Sequence, residues 1–388
     1  MSLTFDSARL PNPHLNSDHE AWREQLRRFI DTEIMPYAVE WDEQGEMPIA
    51  LWPKAGEVGL LGLGFPEAYG GIPGDVWFSQ IASEELARIG VGGIPASLMV
   101  HTIGLPPIIN WGTEAMKAAI VPAVLRGEDW ISLGITEPGG GSDVANLRTT
   151  AVRDGDHFVV NGSKTYITGG MRANWVSTAV RTGGDGAGGV SMLLIPTDAP
   201  GFSRTALDRK QGWWASDTAT LYFDNVRVPV ENLIGEENQG FKVIMTNFNS
   251  ERMGMAVQME AYARVCLEEA VAWAQERQTF GQRLADHQVI RHKIAAMKQK
   301  INATQAYIRI CNEAIASGTP NPADIALLKV QASEVMEFCA REALQILGGI
   351  GFMRGGRAER IYREVRVNAI GGGSEEIMRD LAARQYGI

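Results

Sequence analysis

The sequence predicts a mainly α fold with a central β domain, because the spacing of its apolar residues changes twice along the chain. Up to about residue 130 they recur at helical intervals. Between about 131 and 240, short alternating runs are separated by Gly-containing turns. After 240 the helical interval returns over much longer stretches. The expected organisation is an N-terminal helical domain (1–130), an antiparallel β-barrel or sheet domain (131–240) and a C-terminal four-helix bundle (241–388).

Each element follows from local chemistry. Ser17 and Glu20 have capping-box spacing, so Ser17 is the expected N-cap of a first helix. Its apolar face is Trp22, Leu26, Phe29, Ile30 and Ile34, and Pro36 closes the segment. A loop follows from Gly59 to Gly74, then helices over 76–89, 96–109 and 114–125. In the middle zone Asp154-Gly155 predicts a hairpin turn between 151–153 and 158–160, and Asn161-Gly162 a second turn before 165–168. Strands are expected at 175–181, 190–195 and 218–223, with a Gly-rich tip at 183–189. No parallel βαβ pattern is visible. In the last zone Ile290, Ile294, Met297, Ile301, Ile308, Cys311 and Ile315 form a bundle stripe. Asn321-Pro322 starts the next helix as N-cap and first-turn proline, and Gly348-Gly349 stops it.

Composition narrows the function. The net charge is −10 and no basic run interrupts it, which excludes an ordinary nucleic-acid binder. Cys266, Cys311 and Cys339 are an odd three without CxxC spacing, so neither a disulfide framework nor a zinc site is expected. They read as buried thiols of a reducing, cytoplasmic-type compartment. Residues 1–30 carry charges throughout and show no signal-peptide core, and no apolar run approaches a membrane span.

Ile131 to Asp143, Ile-Ser-Leu-Gly-Ile-Thr-Glu-Pro-Gly-Gly-Gly-Ser-Asp, carries the most chemistry. An apolar strand ends at Pro138, and three glycines follow whose backbone can approach a ligand closely. Thr136 and Ser142 add hydroxyls. A plain Gly-rich turn remains the alternative on these residues alone. A nicotinamide fingerprint is not supported: Gly349-Ile350-Gly351 lacks the third glycine and follows a helix.

This stretch occurs in order with Lys164-Thr-Tyr-Ile-Thr168, Gly212-Trp-Trp-Ala-Ser-Asp-Thr218 and Leu233-Ile-Gly-Glu-Glu-Asn-Gln-Gly240. Glu276-Arg-Gln-Thr-Phe-Gly281, Gln345-Ile-Leu-Gly-Gly349 and Gly371-Gly-Gly-Ser-Glu-Glu-Ile377 follow. Together these blocks resemble the acyl-CoA dehydrogenase family of flavoproteins over essentially the whole chain. The resemblance implies FAD, an acyl-CoA substrate, electron-transferring flavoprotein as acceptor, and a homotetramer built as a dimer of dimers. It implies that Thr136 bonds the flavin's pyrimidine edge, that Thr168 lies near N5, and that Tyr166 flanks the ring. Leu133, Ile135, Gly141 and Ser142 match the loop lining flavin and acyl-CoA. Arg277, Thr279 and Phe280 match the segment serving the adenosine-pyrophosphate half of a neighbour's FAD; an always-charged guanidinium suits phosphate oxygens. Gln288, Gln345, Gly349, Ser374 and Glu376 are the remaining cofactor matches.

Dehydrogenation across Cα and Cβ of a thioester needs a base for the α-proton and an acceptor for the β-hydride. Many members place the basic Glu two residues before the Ser/Thr of the C-terminal motif, which is Gly372 here. A minority place it on the bundle helix just before an Arg. Asn249-Ser250-Glu251-Arg252 stands there, so the resemblance implies Glu251 as catalytic base, with Gly372 leaving room for it. Glu375 or Glu376 is the substitute, and a helix-surface Glu251 pairing with Arg252 or Arg291 is the structural alternative. Arg252 and Asn249 match substrate-contacting positions. The Gly371 and Trp213 blocks look closest to long-chain and citronellyl-type members. Pro95, Ala96, Leu98 and Met99 on the expected pocket-floor helix favour an apolar acyl chain without setting its length. An acyl-CoA oxidase and a non-catalytic flavin-binding member are the competing readings.

Overall fold

The computed structural model describes residues 3–388. In chain order the helices are α1 (Ser17–Glu33), α2 (Ala38–Gln44), α3 (Leu51–Glu57), α4 (Val76–Arg88), α5 (Gly93–Leu98), α6 (His101–Gly104), α7 (Pro106–Trp111) and α8 (Glu114–Leu125). The strands β1 (Ile131–Gly134), β2 (Thr150–Asp154), β3 (His157–Thr168), β4 (Trp175–Arg181), β5 (Val190–Pro196), β6 (Phe202–Ala206) and β7 (Thr218–Pro229) follow. Then come α9 (Gly240–Glu276), the short strands β8 (Gln278–Thr279) and β9 (Gln282–Arg283), α10 (Gln288–Ala316), α11 (Pro322–Leu347), α12 (Arg357–Ile370) and α13 (Glu375–Gln385). The predicted class, mainly helical with a central sheet and long helices toward the C-terminus, is the observed one.

Compactness groups these elements into two units, with the division inside α9 between Glu251 and Arg252. One unit comprises the chain through Val39, Gly74–Gly92 and Arg252–Ile388; the other comprises Glu40–Pro73 and Gly93–Glu251.

In the first unit, α9, α10 and α11 enclose a core built from small and medium side chains. Met297, Ile301, Ile308 and Cys311 of the predicted stripe are buried there, and Ile290, Ile294 and Ile315 pack at its margin. Leu328, Ala332, Val335, Cys339, Ala343 and Ile346 supply the facing side. All three cysteines are free and buried. Asn321 caps α11 by accepting from the Ala323 amide, with Pro322 in the first turn as expected. The cap of α1 differs from expectation: Asn16, not Ser17, holds the Asp18 and His19 amides. The His19 ring closes the box by accepting from the Asn16 amide, a role the Glu20 pattern had assigned to a carboxylate.

In the second unit a curled, mixed sheet carries two hydrophobic faces. One packs against α7 and α8 through Ile131, Ala179, Met192 and Leu194. The other gathers Phe158, Val160, Val176, Ile195, Leu221 and Val228. The sheet is not wholly antiparallel, as the hairpin signals suggested, because β1 runs parallel to β4. The Asp154-Gly155 hairpin forms as predicted. Asn161-Gly162 does not turn the chain: β3 continues through Gly162, at φ +144°, to Thr168, and the register shift there is taken up by an extra residue on β7 around Asn225. A Cβ there would sit 2.7 Å from the Thr149 Cα, so the glycine serves close approach rather than reversal. The helix expected over 96–109 is three pieces; Pro106 and Pro107, which cannot donate to an uninterrupted helix, account for the second break, before α7. Strand β6, which pairs with β7, had no strong alternation to announce it.

Buried between these pieces, the His101 ring bonds the Leu61 carbonyl at 2.9 Å. Burial pushes its pKa down to about 4, against the opposing pull of the Leu61 and Leu98 carbonyls. The unfolded chain therefore binds more protons here between about pH 6.5 and 4, and stability falls as pH falls through that window by about 1.4 kcal/mol per unit. In His101→Gln, denaturant midpoints between pH 7 and 4.5 should show a shallower decline than wild type. Parallel profiles would rule this contribution out.

Candidate active site

β1 and β2 lie end to end along one edge of β4. Gly134 pairs with Thr178 and Thr150 with Arg181, so residues 135–149 leave and rejoin the sheet across only Ala179 and Val180. That excursion is the glycine-rich segment singled out from the sequence. Its tip, Pro138 to Asp143, is exposed, while Ile135 and Glu137 at its neck are buried. Neck closure is carried by Glu137, whose carboxylate accepts from the Arg148 amide at 2.6 Å and the Thr149 amide at 2.8 Å. From below, the fully buried Lys164 ammonium donates to Glu137 at 2.7 Å and to the Ile135 carbonyl at 3.1 Å. Arg181 holds the returning limb through the Leu147 and Ala145 carbonyls at 2.9 and 2.7 Å.

The pair is electrostatically asymmetric. Burial drives the Lys164 pKa down to about 8 even though Glu137 pulls it upward. For Glu137 burial acts to raise the pKa, but the Lys164 charge and the bonds to Lys164 and Thr149 outweigh it and hold the carboxyl below its usual range. The ordinary state is thus a buried ion pair whose remaining acceptor capacity is used by backbone amides.

The neck fixes the first group of candidates. The Thr136 carbonyl accepts from the Thr165 amide at 2.8 Å, and a Cβ on Gly141 would come within 3.3 Å of the Thr136 methyl. Ser132 on β1 donates to the Thr168 carbonyl at 2.8 Å, which ties the end of β3 to β1. Tyr166 falls at a second register shift of β3, takes φ +59° and is 71% exposed. A non-glycine residue held there is strained, a cost of order 1–3 kcal/mol that clusters at ligand sites. Leu133 joins the hydrophobic face that also receives Val243, Ile244 and Phe248 of α9. That packing brings the α9 turn bearing Asn249 and Glu251 into the same unit as Thr136 and Thr168. Glu251 is half-buried, and its Oε2 is closed off from solvent.

The remaining candidates form separate groups in the first unit. Arg252, nearly buried, donates from Nε to the Gly372 carbonyl at 3.1 Å. Ser374 caps α13 by accepting from the Ile377 amide, and the start of that helix lowers the Glu376 pKa through its own amide and the Ser374 hydroxyl. Glu375 is engaged by the Ser333 hydroxyl at 2.6 Å. Arg277, Thr279 and Phe280 lie on the β8–β9 hairpin, where Phe280 and Gly281 both take positive φ as a primed turn requires. Thr279 bonds His287, just before Gln288 opens α10. Gln345 and Gly349 are exposed at the end of α11.

All three parts of the chain match family models: the N-terminal domain of acyl-CoA dehydrogenase over residues 16–128, the middle domain over 132–226 and the C-terminal domain over 238–387. The chain belongs to the acyl-CoA dehydrogenase family. It is 35% identical to the mitochondrial long-chain specific acyl-CoA dehydrogenase of Rattus norvegicus, over 95% of this chain and 86% of that one. A probable acyl-CoA dehydrogenase from Mycobacterium abscessus superposes with a TM-score of 0.94 at 46% identity, covering 96% of this chain and 99% of its own. A glutaryl-CoA dehydrogenase from Mycobacterium smegmatis, solved in complex with FADH2, gives a TM-score of 0.91 at 27% identity, with 96% of each chain covered.

The acyl-CoA dehydrogenase residues fit a flavin on two observations. Hydroxyls of Thr136 and Thr168 end adjoining strands in half-buried positions, suited to a ring's polar edge. Tyr166 and Phe280 hold aromatic rings outward on strained backbone, Phe280 at 98% exposure. Among the described residues no acidic, His or Cys cluster is arranged to hold a metal, and no helix is long and apolar enough to cross a membrane. Sequence reasoning passed over Lys164 and Glu137 as contributors, although the strand phase of Phe158 and Val160 turns Lys164 inward.

Lys164→Met strands the Glu137 carboxylate in the neck and should destabilise the protein by about 3–5 kcal/mol. Adding Glu137→Gln should recover part of that loss. Thermal melts of both variants decide it; a Lys164→Met chain melting with wild type refutes the role.

Proposed function

We propose that this protein is an FAD-dependent acyl-CoA dehydrogenase in which Glu251 takes the α-proton of an acyl-CoA thioester. The product is the trans-2-enoyl-CoA, and electron-transferring flavoprotein is the acceptor. When bound, the flavin supplies the acceptor for the hydride leaving Cβ. The observation that carries the reading is Glu251 itself: a half-buried carboxylate on α9, in a chain whose other family position for the base, Gly372, has no side chain.

The chain's own residues then divide the work. Thr136 and Thr168 orient the ring from the strand ends, and Ser142 at the exposed loop tip meets the thioester. Shielding of the Glu251 Oε2 keeps water from competing with the substrate carbon for that oxygen. Asn249 and Arg252 flank the base and serve the acyl-CoA. On α5, Pro95 and Leu98 are buried while Ala96 and Met99, one turn apart, remain half-open, an apolar surface for the acyl tail. The likeness to a long-chain specific enzyme supports an extended apolar chain. Arg277, Thr279 and the uncovered Phe280 support a homotetramer in which this hairpin serves a neighbour's FAD. Three free, buried cysteines support a reducing compartment, the cytoplasm.

Glu251→Gln is expected to retain FAD and bind acyl-CoA while anaerobic flavin bleaching slows by about 100-fold or more. Undiminished bleaching would refute Glu251 as base. A panel of straight and branched acyl-CoAs in the same assay should favour apolar chains over short or polar ones, and oxygen uptake on substrate addition would mark an oxidase instead.

A further inference from the structure

We propose that Asn247 is a positioning residue for Glu251: its side-chain carbonyl receives the hydrogen bond of the Glu251 carboxyl once that group carries the substrate's proton. The inference rests on the reading of Glu251 as base and deepens it.

Asn247 is 4% exposed on α9. Its Nδ2 donates to the Ile103 carbonyl of α6 at 3.1 Å, which settles the orientation of the amide. The Oδ1 atom is therefore directed away from Ile103, and among the described residues it has no hydrogen-bond partner. A buried amide oxygen left in that condition is unfavourable, since it has lost its water without gaining a donor. Glu251 stands four residues on, one helical turn along the same face, with Cβ atoms about 5–6 Å apart at that spacing. Long helical side chains lean toward the helix N-terminus, a direction that brings a glutamate carboxyl at 251 within reach of the turn bearing Asn247.

The chemistry of the two groups then makes the contact state-dependent. An ionised carboxylate is an acceptor only, and so is the Asn247 Oδ1; they have no proton to share. The Ile103 carbonyl prevents the amide from rotating to offer its NH2 instead. When the substrate Cα–H bond breaks, its electron pair stays on carbon and the proton goes to a Glu251 oxygen. That O–H supplies what Oδ1 lacks. An interaction absent before proton transfer and formed during it lowers the barrier rather than tightening substrate binding.

Asn247→Leu keeps the volume and removes the acceptor; Asn247→Ala serves if the leucine does not fold. In the flavin-loaded protein at acid pH, the infrared carbonyl band of protonated Glu251 is assigned by its loss in Glu251→Gln. That band should shift to the higher frequency of an acid without a hydrogen bond when Asn247 is replaced. The kcat should fall about tenfold or more with KM kept within about twofold, the pattern of an interaction made only in the transition state. An unmoved band and unchanged kcat, in a protein that Glu251→Gln silences, overturns the Asn247 role and leaves the base assignment standing. A shifted band together with normal bleaching in Glu251→Gln overturns the base reading, and with it the delivery of substrate protons to this contact.

Discussion

Closure of the neck at residues 135–149 by Glu137 and Lys164 is the constraint on which the candidate site depends. A strand that leaves the edge of a sheet gives up its ladder, and its backbone groups need other partners. Here one carboxylate replaces the missing strand by accepting two amides from the returning limb. The cation that balances it comes from the neighbouring strand. The loop tip can then be glycine-rich and exposed without loosening Thr136, because the positions on either side of the tip are tied to β3 and β4. The Lys164 pKa of about 8 shows how much the burial costs the cation. Desolvation offsets most of the attraction in such a pair, so what it contributes here is the geometry of the neck more than net stability.

The same device recurs at larger scale in the other unit. Glu84 and Glu85 of α4 are buried and are reached by Arg9, Arg23, Arg27 and Arg88 at 2.8–3.3 Å, with Arg264 of α9 at 3.4 Å from Glu84. Burial opposes ionisation of Glu84, yet Arg264, Arg9 and Arg23 together hold it at about 2. Arg264 is itself sealed between Glu260 and the Phe5 ring. Ion pairing of this kind joins the N-terminal segment, α1 and α4 to the bundle alongside the apolar contacts of Phe5, Ala8 and Ala87. Removing one partner leaves several like charges together, so the cluster stands or falls as a group.

Long helices and tight turns were legible in the sequence because their signals are local. The α10 stripe, the Asn321 cap and the Asp154-Gly155 turn each depend on residues a few positions apart. Non-local terms produced the departures. Asn161-Gly162 carries a turn signal, but pairing with β7 on both sides of it is worth more than a reversal, and the glycine is spent on approach to Thr149. The parallel run of β1 on β4 was invisible for the same reason: the partners lie more than forty residues apart, and nothing in either segment names the other. At the candidate site, the hydroxyls and glycines are those the resemblance implies. The groups that hold them (Lys164, Glu137, Arg181) were not legible, since a charged residue in a short strand ordinarily reads as solvent-facing.

The proposed helix position of the base and the shape of the C-terminal glycine loop are consistent with one another. Gly372 takes φ +67° and Gly373 φ +106°, a region where an ordinary side chain costs about 1–2 kcal/mol per residue. That conformation is not a loose one. The buried Lys329 donates to the Ala369 and Gly373 carbonyls at 3.0 and 2.8 Å, and Arg252 donates to Gly372. A glutamate at 372 would have to keep a left-handed backbone that two hydrogen bonds to the loop maintain, or break them to relax. Either route misplaces a carboxylate whose task demands placement within a fraction of an ångström. On α9 the proposed base, Glu251, sits on regular backbone, and the next residue, Arg252, binds the glycine loop through the Gly372 carbonyl. Placing a carboxylate base on that loop would therefore take more than exchanging two side chains, because the loop's hydrogen bonding is built around the glycine.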